Sequence, residues 1–171
     1  MRVRAAAIAA ILCAGPAAAE VKSSSPNGFE VVSNVSVAAA PAQVYAAIAR
    51  VGEWWNGAHS YSGDAHNLTL DPVAGGCFCE RWAGGSAEHL RVVHAQPGKL
   101  LRLSGGLGPF QGEGAAGALT FALQPATGGT RLTVSYVVGG YVRGGVAPWP
   151  VMVDGMIGEQ VARLKAYVEK K

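Results

Sequence analysis

The spacing of hydrophobic and polar positions divides the chain into stretches of different period. Residues 29–37, FEVVSNVSV, are rich in β-branched residues and predict a strand. The next stretch, AAAPAQVYAAIARV, has Pro41 suited to a helix's first turn and apolar Val44, Tyr45 and Ile48 at helical spacing, so it predicts a short helix. Residues 53–67, EWWNGAHSYSGDAHN, have no period and many loop formers. From there to residue 140 the chain breaks into short alternating runs separated by turn residues. NLTLDP ends at Ala74-Gly75-Gly76, CFCERW at Gly84-Gly85, AEHLRVVHA at Gln96-Pro97-Gly98, and ALTFALQ at Thr127-Gly128-Gly129, before TRLTVSYVVGGY. The gaps are too short for parallel crossovers, so these runs predict an antiparallel meander.

The period changes again near the end. From Pro148 onward Val153, Ile157, Val161, Leu164 and Val168 recur at helical spacing, while Glu159, Arg163, Lys165 and Glu169 fall off that line. The order is therefore strand, short helix, meander, long C-terminal helix. A sheet with one apolar face needs a cover, and only the last helix is long enough to supply it. The expected class is α+β: a curved antiparallel sheet wrapped around a long C-terminal helix, with the domain at residues 29–171 and a linker at 20–28.

These elements and several local phrases resemble the START/Bet v 1-like (SRPBCC, or helix-grip) superfamily, within it the branch of polyketide-cyclase-like and Hsp90-ATPase-activator-homology domains. The phrases are Val35–Trp55 with its Pro-x-x-Val-Tyr and double Trp, Gly75-Gly76-x-Phe78, and Val92-Val93-His94-Ala95-Gln96-Pro97-Gly98-Lys99-Leu100. Gly129-Thr130-Arg131-Leu132 and Gln160-x-x-Arg163-Leu164-Lys165-x-Tyr167 complete the set. The resemblance spans roughly residues 29–169. It implies a cavity between the sheet and the long helix, used across the superfamily for apolar molecules such as lipids and polyketides. Activity varies within such a fold and has to be argued from the site.

The first residues add a compartment. MRVRAAAIAAILCAGPAAAE has a positive start (Arg2, Arg4), an apolar run too short to span a bilayer, and small residues Ala17-Ala18-Ala19 before Glu20. This predicts a cleaved secretory signal peptide at residues 1–19, with Cys13 discarded, no lasting membrane anchor, and a periplasmic destination if the source is bacterial. Arg2 and Arg4 leave with the leader, so the formal charge falls from +3 to about +1. With no recurring Lys/Arg stripe, nucleic acid is not an expected partner. Export also excludes an Hsp90 role, which needs a cytosolic chaperone. GEGAAG (Gly112–Gly117) spells a dinucleotide-binding pattern, but it precedes a strand-like run where that fingerprint opens a helix, so it predicts a flexible connection and no cofactor is expected.

Candidate chemistry is sparse. The expected ligand-binding residues are Trp54, Trp55, Phe110, Phe121, Tyr136, Trp149, Met152 and Met156, with one of the paired tryptophans at the cavity mouth. The glycine-rich stretch 104–117, with Phe110 at its tip, is expected as a movable lid. Gly155 and Gly158 weaken the last helix, either to admit a ligand or the sheet or because that face is exposed. His59, Asp64 and His66, in the loop after Trp55, are the candidates for acid–base catalysis. Cys77 and Cys79 share one face of a strand, where their Cβ atoms would lie about 7 Å apart, beyond disulfide reach unless the strand buckles. With His89 they are the candidate metal ligands; their leading reading is architectural. The functional expectation is an exported binder of an apolar small molecule. Two alternatives stay open: a cyclase- or hydrolase-type enzyme using the same cavity, and a metal or thiol site at Cys77/Cys79.

Overall fold

The computed structural model describes residues 19–170. The expected leader thus lies outside the described residues, Ala19 excepted. The segment expected as a linker is instead a strand. Ala19–Ser25 (β1) pairs antiparallel with Gly28–Val37 (β2) around a turn at Pro26-Asn27. Its run of serines conceals it, because an edge strand needs few apolar residues: Val21 alone packs against the core.

The two helices α1 (Pro41–Ala49) and α2 (Val51–Trp54) follow. Pro41 opens α1, and the Gln43 side chain accepts the Ala40 N–H at 3.0 Å. The meander then runs through β3 (Leu68–Leu70), β4 (Cys77–Trp82), β5 (Gly85–Gln96), β6 (Leu100–Gly105), β7 (Gly114–Ala126) and β8 (Gly129–Tyr141). One eight-stranded sheet results, in the order β1-β2-β8-β7-β6-β5-β4-β3, with every pairing antiparallel. Helix α3 (Trp149–Glu169) closes the chain. The fold is α+β, a helix-grip.

The core follows from the two periods. On β7 and β8 alternate residues turn inward: Leu119, Phe121 and Leu123 on one, Leu132, Val134, Tyr136 and Val138 on the other. α3 buries Val153, Ile157, Gln160, Val161 and Leu164, a stripe at three- and four-residue spacing. The closing residues of the chain also hold the loop after α2. Gln160 Oε1 accepts the Asn56 N–H (2.8 Å), Arg163 Nε donates to the Trp54 carbonyl (2.8 Å), and Glu159 accepts from Asn56 Nδ2 (2.5 Å). This half of the helix therefore fixes one wall of the site.

Of the two helix glycines, Gly155 is exposed and a Cβ there would meet nothing within 4 Å. It makes room for neither ligand nor sheet; the exposed-face explanation applies to it.

Candidate functional site

A pocket of about 340 Å³ opens between the first turns of α3, β8, the loop 55–61 and the 3-10 turn Gly108–Gly112. Of the eight expected ligand-binding residues, Trp55, Phe110, Tyr136, Trp149, Met152 and Met156 line it. Trp54 and Phe121 do not. They lie deeper, with Ile157 and Leu164 in the packed layer between sheet and helix, around a void of about 10 Å³. Phe121 sits two positions beyond Leu119 on β7, under the lower half of α3.

Both tryptophans of the pair are buried, contrary to the expectation that one marks the mouth. Trp54 ends α2 while Trp55 is extended, so the backbone turns between them and both rings reach inward. Their indole N–H groups donate to the carbonyls of Ala47 (2.9 Å) and His59 (3.0 Å), as buried indoles require. The mouth is marked instead by Met152 and Tyr61, 54% and 51% exposed.

The stretch expected as a lid is largely ordered structure: the end of β6, the 3-10 turn and the start of β7. Phe110 is no exposed tip. It is buried against Phe29 and Trp149, with ring centroids 6.0 and 4.8 Å away. Two phenols pin the segment. The Tyr136 hydroxyl accepts the Leu107 N–H at 3.2 Å, and the Tyr61 hydroxyl donates to the Gly108 carbonyl at 2.9 Å. Burial pushes the Tyr136 phenol up to about 12, against a smaller lowering by the Leu107 N–H, so it keeps its proton at neutral pH. Gly117, within the GEGAAG run, is needed here because a Cβ would lie 2.4 Å from the Tyr136 ring. That run is strand from Gly114 onward, not a flexible connection.

The chemistry of the site lies in a pair that the sequence reading did not assemble. His89 lines the pocket, 4% exposed, and its Nε2 is 2.9 Å from Oε2 of the fully buried Glu80. Glu80 also accepts the backbone N–H groups of Tyr61 (3.0 Å) and Ser62 (2.6 Å). Burial raises the Glu80 pKa, but hydrogen bonds from Ser62, the Tyr61 backbone and His89 outweigh it and hold the carboxyl at about 2. An ionised carboxylate only accepts, so His89 donates from Nε2. Nδ1 is buried with no hydrogen-bond partner. Tyr61 stacks on the imidazole at 5.5 Å and 10°, and Phe78 packs against it at 5.1 Å, so the ring is clamped.

A β-bulge creates this geometry. Phe78 pairs with Leu90 but Cys79 pairs with Glu88, so His89 is the extra residue, and both His89 and Leu90 are buried. The available signal was Glu80 itself: Phe78 and Glu80 share the inner face of CFCERW, where a carboxylate needs a partner.

The other candidates fall elsewhere. Cys77 and Cys79 form a disulfide, which corrects the expectation of two unpaired side chains. The strand does buckle: beside the bulge their Cα atoms are 5.3 Å apart, where two steps of a regular strand span about 6.6 Å. The two sulfurs and a Glu88 carboxylate oxygen lie within 4.8 Å of one another. Bonded sulfurs carry no thiolate charge, and Glu88 is paired with Arg91, so this trio does not suit a metal. His89 faces Glu80 and joins no such group. His59 sits at the pocket rim and pairs with Glu159 at 3.2 Å. Asp64 and His66 pair with each other at 2.9 Å on the surface and line no part of the pocket. The His66 backbone N–H and ring lower the Asp64 pKa, and the carboxylate caps the turn Ala65–Asn67.

Comparison with known proteins agrees with this architecture. Among curated proteins none matches. An uncharacterized protein from Rhizobium leguminosarum has a TM-score of 0.58 at 18% identity, over 90% of this chain and 98% of its own. A Chromobacterium violaceum protein reaches 0.56 at 19% identity, over 82% and 96%. DynU16, from the dynemicin biosynthetic locus, also reaches 0.56 at 19%, over 82% of this chain and 47% of its own. At such identities these structures speak for the fold alone. Residues 28–169 match the family described as polyketide cyclase / dehydrase and lipid transport. With the eight-stranded sheet gripping a C-terminal helix, that match places the chain in the polyketide-cyclase-like family of SRPBCC proteins.

Proposed function

We propose that the protein is exported and holds an apolar small molecule in the pocket between α3, β8 and the 108–112 turn. Family membership supports the coarser statement of a ligand-binding or polyketide-cyclase-like protein. The finer one is carried by a single observation: a pocket of about 340 Å³, walled by Trp55, Phe110, Trp149, Met152 and Met156, with apolar side chains exposed at its rim. That volume falls within the ~300–1,000 Å³ of small-molecule sites. Export is supported by the leader-like start and by a disulfide, which persists in oxidising compartments.

Met156→Trp tests the binding reading. The larger side chain should fill the pocket and weaken binding of a naphthalene-sized apolar probe at least tenfold, measured by quenching of Trp55 and Trp149. Unchanged affinity in a folded variant would show that these aromatics are core.

A second reading, acid–base catalysis in the same pocket, is favoured by the clamped His89–Glu80 pair, since a carboxylate-oriented imidazole is a common general base. Hydrolysis of naphthyl esters by the wild type, lost in His89→Gln but kept in His59→Ala, would favour the enzyme over the carrier.

A further inference from the structure

We propose that Trp55 is the floor of the pocket and sets the length of ligand it accepts: compact, naphthalene-sized bodies enter, and a long acyl or alkyl chain finds no room. The inference rests on the ligand-binding reading and adds a size class to it. Among the described residues, Trp55 alone is common to the walls of the pocket of about 340 Å³ and the void of about 10 Å³. The two spaces are successive parts of one layer between sheet and helix. On β8 the inward residues Tyr136 and Val134, two apart on one face, line the pocket and the void in turn. On α3 Met156 lines the pocket, while Ile157 and Gln160, within the next turn, line the void. Beyond Trp55 the walls are mostly apolar, with Leu119, Phe121 and Leu164 among them. Their chemistry would accept an apolar chain; the indole stands where the chain would have to pass.

The indole is also fixed, which makes it a floor and not a swinging gate. Its N–H donates to the His59 carbonyl at 3.0 Å, and its ring meets Phe78 edge-on at 5.4 Å and Trp54 at 5.6 Å. The backbone is held on both sides. The Trp55 N–H donates to the Val51 carbonyl (2.9 Å), and the Asn56 N–H to Gln160 Oε1 (2.8 Å). Swinging the ring aside would break a buried hydrogen bond and leave a hole against Phe78.

Chain length reads the floor directly, because each CH₂ that finds an apolar site raises affinity roughly fourfold. Naphthalenes bearing an ethyl, butyl or octyl chain are titrated into the whole protein and followed by quenching of Trp149, which lines the pocket and remains in every variant. In the wild type the octyl and butyl compounds should bind within about threefold of each other. Phe121→Ala removes a ring from the wall of the void and leaves the floor, so it should keep this limit. Trp55→Leu removes the floor, and the octyl compound should bind it at least about tenfold more tightly than the butyl compound. The ethyl compound should bind all three proteins within about fivefold, which reports a folded chain with its pocket intact. A gain of about tenfold or more from butyl to octyl in the wild type or in Phe121→Ala overturns the proposal, and both results are read without the Trp55 variant. A folded Trp55→Leu that keeps the wild-type limit overturns it as well. Binding with no length limit leaves the ligand-binding reading standing and removes this one alone. If no compound binds the wild type, that reading falls, and this one with it.

Discussion

Glu80 is a fully buried carboxylate held ionised by two backbone N–H groups and an imidazole, and its removal should be costly out of proportion to its size. Glu80→Gln replaces an acceptor with a donor facing those N–H groups, and we expect a loss on the order of 3 kcal/mol in urea unfolding at neutral pH. The same carboxylate sets a pH dependence. Its folded pKa is about 2 against an ordinary 4.5, so its stabilisation is present in full above about pH 4.5 and drains away as the pH falls toward 2. The shift corresponds to about 3 kcal/mol over that window. Unfolding free energies measured at pH 6, 4 and 2.5 should show this fall in the wild type and a flatter acid limb in Glu80→Gln.

At the scale of elements, α3 carries two unlike tasks. Its first turns present Trp149, Met152 and Met156 to the pocket, and its second half ties down the Trp54–Asn56 backbone through Gln160 and Arg163. Gly155 serves neither. With open space around its Cβ position, Gly155→Ala should stabilise the protein by up to about 1 kcal/mol in thermal or urea unfolding and leave probe binding unchanged. Reduced binding in that variant would mean that the pocket needs a flexible helix start. The β4–β5 hairpin shows the opposite economy. A single extra residue, His89, turns an otherwise regular antiparallel pair into the element that aims an imidazole at a carboxylate.

Across the whole molecule, the disulfide lies apart from the chemistry. Cys77 and Cys79 flank Phe78, whose ring packs on Trp55 and His89, so the bond braces the strand behind the site. It closes a loop of only a few residues, for which the chain-entropy contribution is about 1.5 kcal/mol. Cys77→Ser with Cys79→Ser should therefore cost less than about 2 kcal/mol and retain probe binding. Loss of binding, or stoichiometric zinc in the reduced wild type by elemental analysis, would assign the pair a functional role. Intact-mass measurement after alkylation should find both cysteines protected in protein recovered from an oxidising compartment.

Much of the fold was readable from local spacing alone. A period of two in ALTFALQ and TRLTVSYVV, and a period near 3.6 from Val153 to Leu164, follow from the geometry of strand and helix, so each residue's inward or outward face is set within its own segment. Turn residues such as Gln96-Pro97-Gly98 likewise act locally. The hidden β1 strand needed its partner, because a run of serines has no apolar period and becomes a strand only by pairing with β2. The site needed more. Which side chains face the pocket depends on how far along β7 and α3 each one sits, which is why Met156 lines it and Phe121 does not. A bulge at His89 shifts register by one residue against a strand nine positions away, and no local pattern records it. Composition and spacing determined the elements and their faces. Tertiary contact decided the Glu80–His89 pair, the Cys77–Cys79 bond and the pocket, because each depends on the register between strands and not on the period within one.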